Sequence, residues 1–170
     1  PDACSVISDG AGASALGTAP PATFWVALEQ NGPWGPQAAT QSGLDPDVGL
    51  ALERTCKEAG GRLILIRRPG AHSDSQGGRP QRVYLAGGLL ERPWMLQESV
   101  DDPARLLRLP FTALREGDLA AVQRADPQLD ISPVPVLLVC TNSRRDICCA
   151  LRGRPVALGC AEQRPGRVWE

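Results

Sequence analysis

Histidine is almost missing from this chain: His72 is its single copy in 170 residues. One histidine cannot provide a pair of imidazole ligands, and in a Gly- and Ser-rich loop it reads as a solvated surface residue. Aromatic side chains make up only 4%, so Trp25, Trp34, Trp94 and Trp169 read as core or edge packing, not as the lining of a pocket. No apolar run approaches the roughly 20 residues of a membrane-spanning helix. An excess of either charge is lacking too, with 18 basic residues against 19 acidic ones. No whole-chain field is left to steer nucleic acid or an anionic membrane, and neither is expected as a partner. Residues 1 to 21 are too polar and Gly-rich for a charged-then-apolar leader, which makes the cytoplasm the expected location. No motif places the paired carboxylates of a glycoside hydrolase.

What is present reads as an α/β chain of about one domain's length. "TFWVALEQ" predicts a strand stopped by the turn residues of "NGPWG". "LDPDVGLALERTCKEAGG" predicts a helix, with Asp45 as N-cap, Pro46 in the first turn, Cys56 on the apolar stripe and Gly60-Gly61 as the stop. "RLILIRR" and "QRVYLAGG" predict two further strands around a flexible loop over 69–80. "DDPARLLRL", capped by Asp102, and "TALREGDLAAVQRA" read as helical. "VPVLLVC" reads as a buried central strand, "DICCAL" as the start of a helix that Gly153 and Pro155 threaten to interrupt, and "GRVW" as a last strand. Arg67 and Arg68 read as a solvated strand end, with anion binding as the alternative.

The chemistry concentrates in "VLLVCTNSRRDICCALRGRP", residues 136 to 155, which holds three of the six cysteines. A bridge between the neighbours Cys148 and Cys149 would need a strained ring far from ordinary disulfide geometry. In a reducing compartment such crowding favours metal, cluster or redox work. Cys140 is placed at a strand end and Cys149 on the first turn of the next helix. Free N–H groups, the helix dipole and the cations Arg144 and Arg145 would there stabilise thiolates. Asp146 is the expected N-cap. The plainer alternative is that Cys148 and Cys149 are small buried hydrophobes and that Cys140 only ends a strand.

The run "VCTNSRRDICCALRGRP", with "GTAPPATFWVALEQNGPWG", "LILIRRPG" and "RVW" in the same order, resembles the sucrase/ferredoxin-like family over nearly the whole chain. The resemblance implies a thioredoxin-like mixed sheet flanked by helices, with an α/β N-terminal portion over 1–128 and the ferredoxin portion starting over 129–170, or one continuous domain. It implies a 2Fe-2S cluster held by Cys140 and Cys149, with Cys148 a non-ligand neighbour and Arg144, Arg145 and Asp146 in support. The other two ligands would be histidines of a His-x-x-x-His segment after "VWE", so the 170-residue chain alone is expected to lack an intact cluster. Asn142 stands where the family's motif has histidine. The implied function is electron transfer to a redox partner protein, a carrier in place of a catalyst and not a sucrase. Two alternatives stand beside it: a thiol-disulfide redox protein using Cys140 and the Cys148/Cys149 pair, and a cluster-free binding or structural domain.

Overall fold

The computed structural model describes residues 7, 10–12, 20–74, 78–89 and 91–170. The irregular lead-in expected over 1–21, with Cys4, lies mostly outside the described residues. The chain is mixed α/β. Strand β1 (Trp25–Glu29) leads through α1 (Pro46–Glu58) to β2 (Arg62–Ile66), followed by β3 (Gln81–Gly87), β4 (Trp94–Val100) and the short β5 (Asp130–Ile131). These form one sheet in the order β2-β1-β3-β4-β5, with β1 and β2 parallel and every other pair antiparallel. Between β4 and β5 stand a 3-10 turn (Pro103–Arg108), α2 (Phe111–Glu116) and α3 (Leu119–Ala125). The helix expected across 112–125 is two helices, because Gly117 takes φ 72° and Asp118 then caps a new start through Ala121 N–H. Within the loop over 69–80, Ala71–Ser73 form a 3-10 turn and 75–77 lie outside the described residues.

Period-two alternation gives the sheet two apolar faces. Val26, Leu28, Val83, Leu85, Leu96 and Val100 point to the main core, where Leu52, Cys56, Leu106 and Leu114 close over them. Asp45 makes α1 start where it does, its carboxylate accepting from the N–H groups of Asp47 and Val48. Ala27, Ile66 and Tyr84 face the other side and meet Trp169, with Val136 packed against them. That second face receives the rest of the chain. A two-stranded parallel sheet, β6 (Leu137–Leu138) with β7 (Val168–Trp169), is joined by helical residues running from Ile147 to Gln163. Trp169 stands edge-on to Tyr84, at 5.7 Å between ring centroids.

The small sheet is fixed to β2 by an ion-paired clasp. Arg67 and Glu170 exchange both backbone N–H···O bonds at 2.9 Å, and their side chains pair at 3.3 Å. Both side chains are buried. Arg67 is therefore neither a solvated strand end nor an anion site: its own carboxylate is already present. Arg68 lies over the Trp169 ring at 3.6 Å and donates to Gly166 O. "VPVLLVC" is also not the buried central strand its apolar run predicts. β6 has only two paired residues, its described partner is β7, and Leu137 and Leu138 are exposed. Continuous hydrophobicity reports what a segment could bury, and only Val136 finds the sheet here. No helix among the described residues is long and apolar enough to cross a membrane.

Candidate thiol site

The loop 141–146 leaves β6 and turns into the helix under the control of two polar side chains. Asn142 Oδ1 accepts from Arg144 N–H, while its Nδ2 donates to Gly35 O at 3.1 Å, stapling the loop to the "NGPWG" turn after β1. Asp146 then caps the helix, as expected, its Oδ1 accepting from Cys148 N–H at 3.0 Å and its carbonyl from Cys149 N–H. The helix does not break at Gly153 and Pro155. It widens into a π turn over Cys149–Gly153 and continues as α4 (Arg154–Gln163). Proline has no N–H for a regular helical bond and its ring crowds the carbonyl four residues back, and a wider turn accommodates both demands.

Gly153 has a second role. A Cβ at this position would overlap the carbonyl oxygen of Cys140. Glycine thus lets the end of β6 settle directly on the helix, and this brings Cys140 and Cys149 together: the two thiols are hydrogen-bonded to each other. Cys140 is exposed and Cys149 half-buried. Cys148 is half-buried beside them and acts on Cys149 electrostatically. Arg144 and Arg145 are exposed on the loop.

The electrostatics of Cys149 run opposite to the sequence expectation. Its thiol is pushed up to about 12, first by burial, then by the hydrogen bond and charge of Cys140, with Cys148 and Asp146 adding to the effect. The expected stabilisation by Arg144 and Arg145 fails: both are exposed residues and neither is among the groups that act on Cys149, whereas Asp146 and the two neighbouring thiols are. Cys149 also falls in the π turn, one residue beyond the position whose N–H is capped by the Asp146 side chain. Cys149 is thus a protonated thiol at rest, hydrogen-bonded to Cys140.

The other cysteines lie apart in role. Cys56 is wholly buried in the main core, and burial pushes its thiol to about 12 as well. His72 is exposed in the 3-10 turn after β2. Among the described residues no group of three or more His, Cys, Asp or Glu side chains gathers as metal donors. Thr141, next to Cys140, is buried with its hydroxyl unpartnered among the described residues. Asn142 as a staple and Gly153 as a contact have no local sequence signal, since both roles depend on residues distant along the chain. No protein-family model, curated protein or solved structure matches the chain.

Proposed function

We propose that this is an electron-transfer protein resembling the sucrase/ferredoxin-like family, with the thioredoxin-like arrangement that resemblance implies. In this reading Cys140 and Cys149 provide the two thiolates of a 2Fe-2S cluster, and two histidines carried after Glu170 complete it. The supporting observation is the approach of the two thiols across a short loop, allowed by Gly153 and fixed by the Asp146 cap. Two soft sulfur ligands fit half of a mixed Cys/His set. When bound, the cluster would supply one-electron transfer. The chain's own part is to hold the sulfurs at a fixed spacing, with Cys148 as a neighbour and the exposed Arg144 and Arg145 offering positive charge to a redox partner protein, in the cytoplasm.

Because two thiolates hold iron weakly without further ligands, the test adds the missing nitrogen from solution. The 170-residue chain is reconstituted anaerobically with ferrous iron and sulfide, with and without imidazole, as wild type, C140S and C149S. The expected result is a visible charge-transfer spectrum that strengthens with imidazole and disappears in both variants. Cluster formation indifferent to either cysteine would overturn the reading.

The direct hydrogen bond between the thiols also favours a second reading, thiol-disulfide exchange. Cys140 and Cys149 would then give two electrons and two protons to a substrate disulfide and form a bridge between themselves. A rapid, reversible Cys140–Cys149 bridge with no iron uptake selects this reading over the first.

A further inference from the structure

A second site opens on the other side of the Asn142 staple. The turn after β1, with residues 41–43, Asp74 and Arg144, walls an open cleft of about 970 Å³, within the size range of small-ligand sites. Its floor holds an anomaly. Gln30 is 1% exposed, yet its Oε1 has no hydrogen-bond partner among the described residues. Its Nε2 makes a long contact, 3.5 Å, to Asn31 O. A buried amide oxygen without a donor is destabilising, so a ligand N–H placed there would recover stabilisation that the protein forgoes.

The cleft wall is held before any ligand arrives. Gln30 N–H donates to Ile66 O at 2.8 Å, extending the β1–β2 ladder, and Trp34 Nε1 donates to Gln30 O at 2.9 Å. The buried Arg67 donates to Gly32 O at 2.6 Å and lies over the Trp34 ring at 4.0 Å. Pro33 and Pro36 fix φ on either side of Trp34. The side chains of Arg144 and Asp74 are both exposed, and neither has an ion-pair partner among the described residues. They line the same cleft without neutralising each other.

We infer that this cleft is a binding site for a short peptide or peptide-like zwitterion. Its carboxylate meets the Arg144 guanidinium, its ammonium meets the Asp74 carboxylate, and a backbone N–H between them donates to Gln30 Oε1. A simple anion would satisfy Arg144 alone and leave Gln30 without a donor. The site stands independently of the thiol chemistry proposed above, although the Asn142 staple makes the two share a loop.

The probe is triglycine, titrated into the 15N-labelled 170-residue chain and followed by two-dimensional NMR. Chemical-shift changes are expected at residues 30–35, 41–43 and 144. Blocking the carboxylate as triglycine amide, or substituting R144A or D74N at the exposed rim, is expected to weaken binding about tenfold, the loss of one charge-assisted hydrogen bond. Q30L should weaken it similarly, with the fold checked by its NMR dispersion. Three results would each overturn the inference: no shifts at millimolar triglycine, binding unchanged in R144A and D74N, or inorganic phosphate matching triglycine at the same residues.

Discussion

The carbonyl oxygen of Cys140 rests against Gly153 in a space that would not admit a Cβ. This contact between strand end and helix lets Cys140 approach Cys149. The G153A variant must push the end of β6 away from the π turn. A destabilisation of about 1–3 kcal/mol is expected, typical of inserting a methyl group into a packed contact. Formation of a Cys140–Cys149 bridge under mild oxidation should slow at the same time. Bridge formation as fast as wild type, with unchanged thermal stability, would show that the loop sets the spacing instead.

The two partner thiols should differ in reactivity. Cys140 is exposed, whereas Cys149 is half-buried and held protonated up to about 12. Since the thiolate is the nucleophile, iodoacetamide at neutral pH should label Cys140 well before Cys149, read by peptide mass spectrometry. Removing Cys140 also removes its hydrogen bond and charge, both of which raise the Cys149 value. C140A should therefore speed Cys149 labelling, and C140S less so because its hydroxyl can keep the hydrogen bond. Equal labelling rates of Cys149 in wild type and C140A would contradict this account.

Much of the main sheet was legible because its signals are local. The Asp45 cap, Pro46 in the first turn and the core position of Cys56 all follow from a few adjacent residues. Asp146 was legible for the same reason. The roles that escaped are set by residues far apart in the chain. Arg67 meets Glu170 103 positions away, and Asn142 reaches Gly35 across 107. An arginine pair at a strand end looks identical in sequence whether water or a buried carboxylate receives it. "VPVLLVC" misled in the opposite direction, since its composition states a capacity for burial and the two-stranded sheet supplies little to use it. At Cys149 the helix start was correctly anticipated, but the sign of the pKa shift depended on burial and on Cys140, which only the fold brings close.

Alkaline pH should expose the buried thiol of Cys56. Its folded value is about 12 against an ordinary 9.0, from burial first and the Glu53 charge second. A raised folded pKa means that the native state keeps its proton while the unfolded chain loses it. The stability this provides is complete below about pH 9 and is lost as pH rises toward 12. At about pH 10.5 the loss from this one group is on the order of 2 kcal/mol. Urea denaturation at stepped pH should show stability falling over this window, with a shallower fall in C56A even though that variant starts less stable. Parallel pH profiles for the two would remove Cys56 as the cause.

The clasp between Arg67 and Glu170 makes the most quantitative test of how the small sheet is held. Burial pulls the Arg67 guanidinium down from its usual range, and the Glu170 carboxylate acts against that pull. The carboxylate also accepts from Gly70 N–H at 3.2 Å, so it sits among donors that only a charged or hydrogen-bonding group can satisfy. R67A leaves Glu170 buried without its cation and strips Gly32 O and Trp34 of their guanidinium contact. A loss of about 3 kcal/mol follows from breaking a buried pair at one end, or roughly 10 °C in melting temperature for a chain of this size. E170Q keeps a side-chain acceptor for Gly70 and should cost less. The double variant R67A/E170A is expected to lose clearly less than the two single alanine variants combined, because the second substitution removes the charge that the first stranded. Strict additivity in thermal melts would mean that the ion pair contributes nothing and that the exchanged backbone bonds, with the Arg68 and Trp169 contacts, hold β7 to β2.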